Sequence, residues 1–381
     1  MSVLYALLVG IDTYRMGRWA RLAGARNDVV AAAAVLRGRA GGRRPEIREL
    51  YDDDATRAAV IDGLRHHLGR AGPGDTALFW FSGHGSEAEA PPELRHVEAG
   101  PTMQTLVCAD SRTGGVPDLL DKELSLLLDD LAERGAHVAV VLDGCHSGGA
   151  TRSAREKAEP GVRVRALPAG SVRDLPGTLL PELGGRPFSA VGRSAAEHVA
   201  LAAARRFELA EERWLDGAPR GLFSWALLRA LNRLGGTATY RQLLVAARAE
   251  VELYAYRQVP QLYPDLPGLA DAPFLGGAVT SVGTGMIIRY AAEGWELDAG
   301  ACHGLRPVPD GADVLRVAVH GDPSREARVA RVLAERSLVV PLGWEPDRER
   351  QYDVVLSRVE LPATVVAIGG RGEDHAGTAR G

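Results

Sequence analysis

A cysteine, Cys145, stands in the stretch VAVVLDGCHSG at residues 138–148, in a chain that holds only three. An apolar run of this kind reads as a buried strand, and Cys145 then stands just past its end between Gly144 and His146. A second apolar run, DTALFWFSGHG, ends in the same manner and places His84 beyond a serine and a glycine. A thiol is a weak nucleophile until it loses its proton, and an imidazole nearby shifts that balance. Glycines beside the pair let a peptide backbone approach closely and leave N–H groups that can face a developing oxyanion. The chemistry these residue types could do is acyl transfer by a Cys–His pair. Taken alone, Cys145 reads more readily as a small buried apolar side chain.

For the two groups to meet, their strands must lie in one sheet and run the same way. VLYALLVGI at residues 3–11 is another continuous apolar run, and helical patterns follow in NDVVAAAAVLRGR, in the segment after DDDAT, and in DKELSLLLDDLAERG. Strand and helix alternate, which predicts an α/β fold with a doubly wound, mostly parallel sheet and helices on both faces. In such sheets functional groups collect in the crevice at the carboxyl ends of the strands. His84 and Cys145 then emerge at one edge, together with Asp28 from the loop after the first strand.

The rest of the chain divides by pattern. Residues 1–150 hold the alternating region, and residues 151–195, rich in Arg, Pro and Gly with no apolar period, read as an exposed linker. Residues 196–279 resume with the strand HVALAAA and the helices GLFSWALLRALNRLG and TYRQLLVAARAEVELYAY. Short alternating segments over 280–368 predict a small β-rich domain, and 369–381 a disordered tail.

Composition excludes some classes. The 381 residues carry a net charge of −4, with 46% hydrophobic and 25% charged residues, which gives no global pull toward nucleic acid or an anionic membrane. Three scattered cysteines form no disulfide framework, and the opening apolar run is too short to span a bilayer, so a cytoplasmic protein is expected. A nucleotide-binding reading lacks a phosphate-cradling glycine loop, SVGTGM being too short.

Taken in order, YALLVGIDTY, LAGARNDV, DDDATRAAVIDGL, FWFSGHGSE and VVLDGCHSGG resemble caspase-like cysteine peptidases, most closely the metacaspase and bacterial orthocaspase branch. HVALAAARRFELAEE, GLFSWALLRAL and RQVPQL resemble that family's small-subunit region. The resemblance implies Cys145 as nucleophile, His84 as its acid/base partner, and an oxyanion hole from the N–H groups of Gly85 and Cys145. It implies an acidic specificity pocket built on Asp28 and Asp143 with Ser82 nearby, and thus substrates with Arg or Lys before the cleaved bond. It implies a monomer, and a regulatory partner for the C-terminal domain would fit the modular habit of bacterial relatives.

One departure concerns calcium, which many metacaspases bind through a cluster of Asp residues. Asp110 and Asp121 match two positions, but Lys122 and Arg152 fall where carboxylates are expected. Two cations there oppose a hard-cation site, so no cofactor and no calcium requirement of that type is expected. The linker carries Arg152, Arg155, Lys157, Arg163, Arg165 and Arg173, which makes self-cleavage an expectation for an enzyme of this specificity. The competing expectation is a catalytically silent caspase-like scaffold acting through its C-terminal domain.

Other candidates read as structural. Asp52, Asp53 and Asp54 suit a helix N-terminus; His66 and His67 are adjacent on a helix and diverge. His146 and Cys108 read as structural, and Cys302 with His303 as neighbours that do not reach each other's reacting atoms.

Overall fold

The first strand, LYALLVG, alternates its side chains between two apolar environments, and the computed structural model of the chain shows both. It describes residues 2–17, 20–39, 45–94, 100–145, 161–169, 178–191, 197–279, 286–309, 313–319, 322–349 and 351–359. The structure divides into two units, Met1–Val282 and Gly283–Gly381.

Six strands form the sheet of the first unit: β1 (Leu4–Gly10), β2 (Glu46–Tyr51), β3 (Thr76–Ser82), β4 (His137–Asp143), β5 (Val199–Ala202) and β6 (Gln261–Tyr263). Their order is β6-β5-β4-β3-β1-β2, all parallel except β6, which runs antiparallel to β5. The sequence pattern did not mark β6, which lies inside the Pro-rich segment RQVPQLYPDLPG. Three residues at a sheet edge are too few to show a period.

Among the described residues, the helices of six residues or more that cover the sheet are α1 (Ala25–Gly38), α2 (Arg57–Asp62), α3 (Asp121–Ala132), α4 (Leu222–Leu234) and α5 (Tyr240–Glu252). Leu4, Ala6, Leu8, Leu78 and Trp80 join one core cluster with residues of α1, α4 and α5. Leu7, Val9, Ala77, Phe79 and Phe81 join the other with residues of α2 and α3. The twofold alternation of a strand thus assigns each residue to a layer. Thr56 caps α2, accepting the Ala59 N–H at 3.1 Å. The Asp52–Asp54 run, expected to serve a helix end, instead forms a short turn. Asp52 there accepts the N–H groups of Asp12 and Thr13, both at 2.9 Å.

The expected exposed linker is corrected by the structure. Leu179, Leu180 and Phe188 are buried in the core, and Arg165, Ala166 and Leu167 are wholly buried. Glu123 of α3 accepts the Leu180 N–H at 3.0 Å and pairs with buried Arg57 at 2.9 Å, which pins the segment to the domain. Tertiary partners supply what the local sequence lacks. Arg152, Arg155, Lys157 and Arg173 lie outside the described residues, as do His146 and the tail from residue 369.

The second unit is a closed barrel of six antiparallel strands: Met286–Ala291, Gly294–Leu297, Leu315–Val319, Asp322–Val332, Ser337–Leu342 and Tyr352–Val359. Ile288, Leu297, Val317, Val329, Val339 and Val354 fill its core. Among the described residues of the chain, no helix is long and apolar enough to cross a membrane.

Candidate active site

Strands β3 and β4 are register neighbours, with Ser82 opposite Asp143. His84 and Cys145 each stand two residues beyond that pair, so the sheet delivers both to the same edge at the same height. Gly144 makes the approach of the two strand ends possible. A Cβ there would lie 2.7 Å from the Gly83 carbonyl oxygen and 3.3 Å from the Gly85 nitrogen.

His84 is held on two sides. Its backbone N–H donates to the Tyr14 hydroxyl at 2.8 Å, and its Nε2 lies 2.8 Å from the Ala20 carbonyl oxygen. A carbonyl only accepts, so Nε2 carries the proton and a neutral ring keeps its lone pair on Nδ1. Burial pushes the Cys145 thiol up to about 12, with Asp143 adding to the rise and Arg165 opposing it.

Into this edge runs the short strand Arg163–Val164, which pairs antiparallel with Glu211–Leu215. The Arg165 N–H donates to the Ala210 carbonyl at 2.9 Å. The Arg165 carbonyl accepts from two backbone groups, Gly85 N–H and Cys145 N–H, each at 3.1 Å. Beyond it, Leu167 N–H donates to the Gly85 carbonyl at 2.9 Å, and Ser86 Oγ donates to the carbonyls of Leu167 and Pro168. The chain therefore crosses the cleft as an added strand, held by its backbone on both sides of the Arg165–Ala166 bond.

The Arg165 side chain enters a carboxylate-lined chamber and is fully buried. Its Nη2 meets Asp28 Oδ2 at 2.7 Å and Glu212 Oε2 at 3.4 Å. Its Nη1 meets Ser82 Oγ at 2.6 Å and Asp143 Oδ2 at 3.2 Å. Three carboxylates around one guanidinium leave room for a second cation, and Arg220 Nε takes Asp28 Oδ1 at 2.8 Å. Burial holds the Asp143 carboxyl above its usual range; Asp28 adds to the rise and Arg165 opposes it.

Local folding sets each carboxylate. Asp12 accepts the Ala25 N–H at 2.9 Å at the start of α1, fixing the turn that presents Asp28. Burial raises the Asp12 carboxyl to about 6, against the backbone bond that lowers it. Asp143 Oδ2 accepts the Ser224 N–H at 2.8 Å in the first turn of α4, where the helix end favours negative charge. Asp28 also accepts the Gly221 N–H, at 3.1 and 3.0 Å. A Cβ on Gly221 would come within 2.3 Å of both the Arg165 guanidinium and the Asp143 carboxylate, so no other residue fits.

The structure thus sets Gly85 and Cys145 on the Arg165 carbonyl and Asp28, Ser82 and Asp143 around its guanidinium; His84 stands at the end of the neighbouring strand, and the Cys145 Sγ lies 3.9 Å from the Ala210 carbonyl oxygen. Sequence reasoning missed three participants, Glu212, Asp12 and Arg220. Glu212 lies on the hairpin Glu211–Leu215/Ala218–Gly221, whose two-residue turn is Asp216-Gly217 with φ of 50° and 83°. The Asp-Gly pair was the available signal for that hairpin.

Elsewhere, Asp110 accepts the Arg57 N–H at 2.8 Å and Asp121 pairs with Lys122 at 2.9 Å. No group of three or more His, Cys, Asp or Glu able to hold a metal is found among the described residues. His66 pairs with Asp62, while His67 reaches the carbonyls of Ala6 and Glu46. Cys302 and His303 do meet, contrary to expectation, with Sγ 3.2 Å from Nδ1, because the tight turn Ala301–His303 folds them together. That turn is exposed in the barrel unit, and the same Nδ1 accepts the Gly300 N–H at 3.1 Å.

Comparison with known proteins bears on the whole first unit. The sequence profile described as Caspase domain matches residues 4–269. Metacaspase-1A of Aspergillus terreus is 28% identical over 151 residues, covering 38% of this chain and 36% of that one. Metacaspase-1B of Aspergillus fumigatus is 30% identical over 151 residues, covering 38% and 35%. The chain thus spans about a third of these curated relatives' length, and they are fungal rather than bacterial. A crystal structure of a Geobacter sulfurreducens protein shares the fold, with a TM-score of 0.50 at 21% identity over 72% of this chain and 98% of that one.

Proposed function

Since this chain belongs to the caspase-domain family, we propose that it is a cysteine endopeptidase that cuts after Arg or Lys and processes its own Arg165–Ala166 bond. The observation that carries the reading is the posture of Arg165. Its carbonyl rests on the N–H groups of Gly85 and Cys145 while its guanidinium sits among Asp28, Asp143 and Glu212. A peptide bond held this way has its carbonyl oxygen on the backbone N–H of Cys145 itself, where negative charge would develop if the thiol attacked.

The roles proposed on this reading are as follows. His84 Nδ1 takes the thiol proton, and Cys145 Sγ attacks the Arg165 carbonyl carbon. The oxyanion is stabilised by the two N–H groups. The C–N bond breaks as the imidazolium gives its proton to the Ala166 nitrogen, leaving a thioester that water hydrolyses with the same imidazole as base. The Nε2–H bond to the Ala20 carbonyl keeps the ring in the tautomer this needs.

The carboxylates favour a cation in the chamber and disfavour an acidic side chain. Substrates are then proteins or peptides with Arg or Lys before the cleaved bond. While residues 163–168 fill the cleft, an external peptide has no room, so the cut after Arg165 comes first. Fluorogenic peptides ending in Arg, Lys or Asp, tested with wild type and Cys145→Ala, check the reading. Hydrolysis of the basic peptides by wild type alone is the expected result. Equal rates for the two proteins, or preference for Asp, would refute it.

A further inference from the structure

Glu212 does more than help hold Arg165. It stands directly opposite Arg163 in the antiparallel pair. Its two carboxylate oxygens are divided: Oε2 meets Arg165 Nη2 at 3.4 Å, and Oε1 meets Arg163 Nη1 at 3.2 Å. Backbone N–H groups fix the carboxylate in place, Ala23 on Oε1 at 2.9 Å and Gly24 on Oε2 at 2.8 Å. The carboxylate itself is buried at 2% exposure, whereas the Arg163 side chain is 53% exposed.

We infer that Glu212 is a second specificity determinant, reading a basic side chain two residues before the one in the chamber. The favoured substrate class is a segment of the form Arg-X-Arg, cut after the second Arg. This rests on the endopeptidase reading. One immobile carboxylate serving two cations fixes their spacing. Alternate side chains of an extended strand point the same way, so only i and i+2 can share it. The intervening residue, Val164 here, points into the apolar core instead and is buried.

The pair with Arg163 is largely solvated on one side, so it is worth what exposed ion pairs are worth. That amounts to about three- to fivefold in kcat/KM, and it falls as salt screens it. The test uses the full chain and two internally quenched peptides, Arg-Val-Arg-Ala-Leu-Pro and Gln-Val-Arg-Ala-Leu-Pro. The first should be cut about three- to fivefold faster at low salt, and the ratio should approach one at high salt. In Glu212→Gln, which removes the charge and keeps one acceptor oxygen for the Ala23 and Gly24 N–H groups, both peptides should slow and the ratio should fall to about one at any salt.

Equal rates for the two peptides in wild type overturn the inference, as does a ratio that Glu212→Gln leaves intact. If that variant fails to fold, the wild-type ratio and its salt dependence decide alone. A protein that cuts neither peptide and leaves its own Arg165–Ala166 bond intact overturns the endopeptidase reading instead.

Discussion

Arg165→Lys gives the most searching test of how the chamber works. Arg165 presents a planar fork: Nη1 to Ser82 and Asp143, Nη2 to Asp28 and Glu212. A lysine ammonium is a single point with three donors and cannot span both sides of the chamber. It keeps its charge and the nearer partners on one side and loses at least one charge-assisted hydrogen bond on the other. Such a bond contributes about 1.5–3 kcal/mol. At 1.36 kcal/mol per factor of ten, self-cleavage should slow roughly ten- to a hundredfold without ceasing. Intact-mass spectrometry of freshly purified protein over time measures this, with Cys145→Ala as the uncleaved control. Wild type should yield the pair 1–165 and 166–381, and Arg165→Ala should not. If Arg165→Lys processes as fast as wild type, the divided fork is not what the chamber reads. If wild type cuts only at another bond, the segment in the cleft is not the substrate.

Other outcomes follow from the same contacts. Gly221→Ala should abolish cleavage of Arg peptides and lower the melting temperature, since its Cβ would lie 2.3 Å from two charged groups that cannot both move aside; unchanged kinetics would refute the close fit. With the thiol pushed up to about 12 by burial, Cys145 in uncut protein should resist iodoacetamide at pH 7–8. Labelling should quicken once the segment has left, read by mass spectrometry of the Cys145 peptide; equal labelling before and after the cut would refute burial as the cause. Calcium should leave activity unchanged, because Asp110 and Asp121 already serve Arg57 and Lys122; strong activation from a chelated baseline would overturn this.

Much of the candidate site is legible in the sequence. Apolar runs closing on SGHG and DGCHSG mark strand ends, and strand ends of a parallel sheet are where chemistry gathers. The helices α1, α3, α4 and α5 carry their period openly. What was not legible depends on distance along the chain. Glu212 grips Ala23 and Gly24 across some 190 residues, and Arg165 reaches Asp28 across 137. The Arg/Pro/Gly-rich composition of the segment around Arg165 speaks for a solvated loop, and only its partners reverse that.

The sequence by itself determined which residues could act: the thiol and imidazole past two apolar strands, and a family motif order that covers most of the first unit. Local hydrophobic period and glycine placement suffice for that, because strands and turns are short-range choices. Only the tertiary structure decided what fills the cleft. An arginine is buried at full charge only where several carboxylates converge, and these come from α1, β4 and a hairpin far apart in sequence. The family motifs mark Asp28 and Asp143, but Glu212 leaves no local trace of joining them, since alone it reads as an ordinary surface acid.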